Sequence, residues 1–465
     1  MAEAKEIIIT NGRVVTPEGV NRKDIQVRSG IIAGIGGPFD DMAADVIDAR
    51  GHYVMPGGVD VHTHFNLDVG IAVAQDDFYT GTAAAALGGT TTIVDHPGFG
   101  PAGCSLFHQI EIYHGYAAGK AVVDYGFHGV LQHLDDTVLE EIPGLAEQGI
   151  TSMKAYMTYD YRFTPEMLAA VLSAAKDAGM LVAVHAEDHD TVQRLRQQYV
   201  REGKSAAIYH ARSRPAETEG KAVQAAIVAS SKAGNAPLYI VHLTTRDGLA
   251  HVRAAKSHGA RVYAETCPQY LLLDEEKYNE PDHGGLKYIM SPPLREKQHR
   301  TALEQGLADG SIQVLATDHC PFDFALKKKL AKDDFTRCPG GAPGVEARVP
   351  LMFTKCVTGL GMDITAFSEL ISGNPAKLMG LYPQKGVIAT GSDADLIILD
   401  PEKEMLLAWD MLHENVDYTP YDGITVRGWP WLTMVRGRVA AENGQLLAPP
   451  GWGRFIKRKQ TQPLS

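Results

Sequence analysis

Cysteine is scarce in this chain: five in 465 residues, an odd number without framework spacing. That excludes a disulfide-built secreted scaffold and fits free thiols in a reducing cytoplasm. Long apolar runs are missing too. No stretch reaches the roughly 18 apolar residues of a membrane span, and the opening MAEAKEIIITNGRVVTPEGV has no basic segment ahead of an apolar core, so a cytoplasmic, soluble protein is expected. Positive charge is also in deficit, with 44 Lys and Arg against 56 Asp and Glu and a formal net charge of -12. A nucleic-acid surface normally needs a concentrated basic patch, so no nucleic-acid partner is expected. The two basic clusters, ALKKKLAKDD at 325–334 and RFIKRK at 454–459, read as solvated loop and tail charge.

What the chain does have is two textures. Short β-rich runs separated by turns fill residues 5–50 and return after about residue 385, and NGRVV at 11–15 resembles RGRVA at 436–440. The two ends are therefore expected to build one small β-domain together, from 1–54 and 381–445, with a tail at 446–465. Between them, across 55–380, eight apolar runs alternate with helix-like stretches rich in Ala, Leu, Glu and Lys. The runs lie at 53–62, 90–96, 122–131, 150–157, 181–187, 237–243, 261–267 and 312–319. Near-continuous apolar strands alternating with helices indicate a parallel sheet covered on its outside, and eight of them predict an α/β fold with a closed (β/α)8 barrel.

Active sites in such barrels sit at the C-terminal ends of the strands. Those ends supply His62 and His64 on strand one, Lys154 on strand four, His185 on strand five, His242 on strand six and Asp318 on strand eight. Alternation along a strand points His62 and His64 the same way, with Thr63 opposite. Singly, each of the six has a plain explanation as a core histidine, a snorkelling lysine or a helix cap. Jointly, four imidazoles and a carboxylate at one barrel mouth leave several polar groups that a cation would satisfy together. Two divalent ions need more than five ligands and an anion between them. A lysine whose amine is neutral can add carbon dioxide and become a bridging carbamate, and Lys154, flanked by Met153 and Ala155, is the candidate.

The ordered set PGGVDVHTHF (56–65), SMKAYMTYD (152–160), AVHAED (183–188), YIVHLT (239–244), ETCPQYLLLD (265–274), MSPPLR (290–295), ATDHCPF (316–322), GAPGVE (341–346) and GSDADLIILD (391–400) resembles the cyclic amidohydrolases, most closely the dihydropyrimidinase and hydantoinase branch. The resemblance covers nearly the whole chain. It implies a homotetrameric TIM barrel with a β-sandwich side domain, two zinc ions bridged by carboxylated Lys154 and a hydroxide, and hydrolysis of a small cyclic amide. His62, His64, Lys154 and Asp318 would serve one ion, and Lys154, His185 and His242 the other. Asp318 would shuttle the proton, Tyr159 would stabilise the oxyanion, and the main chain at Ser291 would contact the ring. Where the family reads Pro-Asn-Gly-Gly-Pro-Gly this chain has PGGAPG, with Gly340 at the asparagine position, a contact that glycine keeps if it is made by the main chain.

Other rings, such as allantoin, dihydroorotate or a purine-derived ring, are the alternative substrates, dihydroorotate calling for a cationic partner. A non-catalytic relative is disfavoured, since every ligand position is filled. The loops FNLDVGIAV (65–73) and YMTYDYRF (156–163) are apolar, and Phe65, Leu67, Val69, Ile71, Met157, Tyr161 and Phe163, with Phe99 nearby, are expected either to line a pocket for a ring substituent or to pack the barrel rim.

Overall fold

Each of the eight apolar runs contains a strand in the computed structural model, which describes residues 6–39 and 44–464. The parts of the expected small domain and tail at 1–5, 40–43 and 465 lie outside the described residues. The barrel strands are Gly58–Thr63, Thr90–Asp95, Asp124–Phe127 continued by Gly129–Val130, Ser152–Tyr156, Leu181–His185, Leu238–Ile240, Val262–Thr266 and Val314–Leu315. Neighbours pair in parallel around the ring. A bridge between Thr63 and His319 brings the eighth strand back to the first.

Alternation along the strands divides the core into two layers. Val59, Val61, Leu181, Ala183, Tyr239, Val241, Val314 and Ala316 pack together inside the barrel. Val182 and Val184 face the other way, into the layer beneath the helices. His185 continues the inward row of Leu181 and Ala183, and Lys154 lies directly across from Ala183. The helix Pro165–Asp177 shows how the outer ring forms. Thr164 caps it by accepting from the Met167 N–H, Pro165 occupies the first turn, and Leu168, Val171, Leu172 and Ala175 bury one face.

Two strands are shorter than expected. The sixth is only Leu238–Ile240 and the eighth only Val314–Leu315. The backbone turns left-handed at His242 (φ 38°) and Asp318 (φ 55°), so the extended run must end before each of these residues.

The chain ends do build one sheet. Tyr53–Pro56 pairs with Ile7–Thr16 on one side and with Leu396–Leu399 on the other, and Pro430–Val435 and Arg438–Glu442 extend the sheet beyond. Among the described residues its nine strands wrap a core that includes Ile9, Val14, Ile25, Val54, Leu396, Ile398 and Met434. Since Tyr53–Pro56 belongs to this sheet, its first portion runs two residues past the expected boundary at 54.

The expected tail and basic clusters need correction. Residues 453–459 are laced onto the barrel: Gly453 N–H donates to Ala121 O, Ile456 N–H to Tyr125 O, Arg458 N–H to Gly149 O and Lys459 N–H to Gly380 O. Arg458 is 3% exposed, and its guanidinium donates to Ser152 Oγ and to Phe127 O. Lys327 is fully buried. Each cation sits where main-chain carbonyls converge, which a count of charges along the sequence does not reveal. Among the described residues no helix is long and apolar enough to cross a membrane.

Candidate metal centre

The six residues picked from the strand ends line one cavity of about 660 Å³ at the barrel mouth. His62 Nε2 and His64 Nε2 lie 3.1 and 3.2 Å from the same oxygen, Asp318 Oδ1. One ligand atom from each of these three falls within 4.8 Å of the others. The Lys154 amine is 3.3 Å from His62 Nε2. His185 and His242 stand outside this triad as a second pair, their ring centroids 4.6 Å apart, and the His242 ring lies 5.4 Å from that of His62.

A buried carboxylate sets the orientation of His62. Glu265 Oε1 pairs with His62 Nδ1 and also accepts from the His242 N–H, while Glu265 Oε2 accepts from the Tyr239 hydroxyl at 2.6 Å. Glu265 thereby holds the ring with Nε2 facing Asp318 and Lys154. Burial disfavours the charged Lys154 and pushes its pKa down to about 8. Burial acts against the Asp318 carboxylate as well, but the imidazoles, His62 foremost, hold it well below the usual carboxylate range.

The donor set suits divalent metal. One carboxylate and four imidazoles are borderline ligands of the kind zinc takes, and Nδ1 of His64 and of His242 are buried with no hydrogen-bond partner. The backbone is strained at three of the site residues, with φ 71° at Tyr159 beside the left-handed His242 and Asp318. Such conformations persist only where the surroundings impose them.

Tyr159 and Ser291 line the same cavity. The Tyr159 ring lies 5.3 Å from that of His185. Burial raises its hydroxyl pKa, against the pull of Arg214 and of a hydrogen bond with Ser291. Gly340 is also on the wall, and a Cβ added there would meet only the Met290 backbone, at 3.9 Å, so the position has room for a side chain to start.

The expected substituent pocket is partly corrected. Leu67, Val69, Ile71, Phe99 and Tyr161 line the cavity, with the Phe99 ring 4.4 Å from Tyr161 and 5.3 Å from Tyr156. Phe65, Met157 and Phe163 do not; they are buried in the layer beneath the helices. Phe65 follows His64 onto the opposite face, against Phe78 and His319. Phe163 is drawn inward because its N–H bonds back to Tyr156 O.

Four contributors had not been picked out: Glu265, Glu187, Arg214 and Lys327. Glu265 ends the seventh apolar run, where a polar residue at a strand end is a legible signal. Glu187 is two residues past His185 and accepts from its Nε2 at 2.7 Å. Arg214 carries no sequence signal. Lys327, hidden in a run of charge, donates from Nζ to Gly341 O and Ile289 O and so ties together the loops that carry Gly340 and Ser291.

Comparison with known proteins agrees with this geometry. Residues 53–440 match the model of the amidohydrolase family. The chain is 47% identical over 458 residues to the D-phenylhydantoinase of Escherichia coli O9:H4 (strain HS), covering 98% of this chain and 99% of that one. The crystal structure of dihydropyrimidinase from Brevibacillus agri NCHU1002 superposes with a TM-score of 0.96 at 41% identity, covering 98% and 99% of the two chains. The L-hydantoinase (dihydropyrimidinase) from Arthrobacter aurescens gives 0.88 at 31% identity, covering 97% and 99%. With the histidines, lysine and aspartate of its barrel mouth in place, the chain belongs to the amidohydrolase family, in the branch of the hydantoinases and dihydropyrimidinases.

Proposed function

We propose that this enzyme hydrolyses the ring amide of a hydantoin or dihydropyrimidine, yielding an N-carbamoyl amino acid. The observation that carries the reading is the convergence of His62, His64, Asp318 and Lys154 on the floor of one cavity. His62, His64 and Asp318 would hold one zinc ion, His185 and His242 a second, with carboxylated Lys154 between them. When bound, the pair supplies Lewis acidity to a carbonyl and makes water acidic enough to attack near neutral pH.

The chain's own groups carry the rest. Asp318 takes the proton of the attacking water and returns it to the ring nitrogen as the C–N bond breaks. Tyr159 donates its hydroxyl hydrogen to the carbonyl oxygen as that oxygen gains charge, a bond that strengthens in the transition state. The main chain at Ser291 and Gly340 meets the polar edge of the ring, on loops that Lys327 braces. A ring substituent then lies against Leu67, Val69, Ile71, Phe99 and Tyr161. The resemblance supports a homotetramer, and the five free thiols suit a reducing cytoplasm.

Turnover of 5-phenylhydantoin, hydantoin, dihydrouracil and allantoin on a single preparation tests this. The phenyl compound should show the highest kcat/KM, about 10- to 200-fold above hydantoin, as one well-buried apolar group allows. Allantoin as the fastest substrate, or no ring opening at all, would refute the reading.

A further inference from the structure

Beside the metal centre, one carboxylate holds two unlike groups. Glu187 is fully buried, and its Oε2 accepts from His185 Nε2 at 2.7 Å and also from Arg214. Arg214 is itself buried, and its guanidinium carbon lies 5.4 Å from the centroid of the Tyr159 ring. Its main chain is pinned as well, because the Arg295 side chain donates to Arg214 O. The cation therefore faces one carboxylate and Tyr159, whose hydroxyl it bonds as well as lying against the ring.

Such an arrangement needs a reason, because a desolvated guanidinium costs free energy unless it is paired and stacked. Tyr159 has a requirement that Arg214 can meet. Its backbone is left-handed, at φ 71°, in a loop whose next residue, Asp160, is exposed. A phenol on a strained loop will not keep one direction unless something fixes the ring. A planar guanidinium over the ring face does so, and its positive charge also strengthens the hydroxyl as a donor.

We infer that Arg214 is a positioning residue for Tyr159: anchored by Glu187, it fixes the ring that donates to the developing oxyanion and ties that ring, through the same carboxylate, to His185. This deepens the hydrolase reading above and rests on it. Arg214 also lines the cavity, and on this inference it acts through Tyr159 rather than on the substrate.

The test is a double-mutant cycle on a hydantoin that the wild type opens, using Arg214→Gln, Arg214→Lys, Tyr159→Phe and the Arg214→Gln/Tyr159→Phe double variant. Metal content and unfolding temperature are recorded for each. Arg214→Gln should lower kcat on the order of 10²-fold, the scale of one transition-state donor, with KM changed by no more than about threefold. Arg214→Lys should recover part of the loss, since it keeps the charge but not the plane. In the Tyr159→Phe background the Arg214→Gln change should cost no more than about a further threefold, because groups that act as a unit are not additive.

A double variant that multiplies the two single effects, or an Arg214→Gln variant altered in KM alone, overturns the inference. If Arg214→Gln does not fold, Arg214→Lys and its own double variant are read by the same criteria. A wild type that opens no hydantoin or dihydropyrimidine overturns the proposed activity and this inference with it, whereas an active wild type with an additive cycle overturns the role of Arg214 alone.

Discussion

The two ends of the barrel handle buried charge in opposite ways. At the base, Lys385 is fully enclosed and has three carboxylate partners: Asp124 at 2.6 Å, Asp395 at 2.7 Å and Asp393 at 3.0 Å. Arg348, equally buried, donates to the carbonyls of Val59 and Leu315 and to Thr90 Oγ1. At the mouth, an amine crowds an imidazole, two histidines converge on one carboxylate oxygen, and ring nitrogens of His64 and His242 go without partners. The base cations are met by carboxylates, carbonyls and a hydroxyl and serve the fold, although Arg348 Nε has no hydrogen-bond partner. The mouth gathers donors of the kind a divalent ion takes, and the proposed chemistry is placed there.

Lys154→Ala breaks this contrast most sharply. On the proposed two-zinc reading it should lower activity on the order of 10³-fold or more and leave at most one bound ion per chain, since the bridge and several kcal/mol of charge stabilisation would be lost. Elemental analysis and turnover decide it, and a short carboxylic acid should restore part of the rate. Two bound metals with normal turnover would refute the carbamate.

Lys385→Met probes the other end. It removes the ammonium that Asp124, Asp393 and Asp395 share, leaving Arg436 as the remaining cation beside Asp124, so unfolding free energy should fall by about 3 kcal/mol. Denaturant unfolding measures this, while kcat per folded molecule should stay at the wild-type value. A variant that lost catalysis without stability would erase the distinction between the two ends.

Tyr159→Phe should cost about 10²-fold in kcat with little change in KM or in unfolding temperature. An effect on KM alone would make the ring a packing surface. The smallest expected effect is that of Phe99→Ala, about tenfold in kcat/KM for 5-phenylhydantoin and none for unsubstituted hydantoin, because it removes apolar wall and leaves the chemistry intact. Equal losses on both substrates would place Phe99 in the rim of the fold.

The same contrast explains what the sequence made legible. Strand periodicity and strand ends were enough to find His62, His64, Lys154, His185, His242 and Asp318, because a barrel aims those positions at one place whatever its loops do. The loops followed a different rule. Phe65, Met157 and Phe163 look like their neighbours Leu67 and Tyr161 in composition, yet main-chain bonds such as Phe163 N–H to Tyr156 O turn them inward. Composition carries no record of that folding back. Lys327 and Arg458 were missed for a related reason: their partners are backbone carbonyls from distant segments, which no charge pattern encodes.

The segment 453–459 also bears on how the molecule is made. Its residues bond to Ala121, Tyr125 and Gly149 and place Arg458 against Phe127 and Ser152, beneath the third and fourth barrel strands. A growing chain has produced all eight barrel strands by residue 315, well over a hundred residues before this segment exists. Until it is synthesised, the carbonyls of Ala121, Tyr125 and Gly149 lack the N–H partners it supplies in the finished molecule.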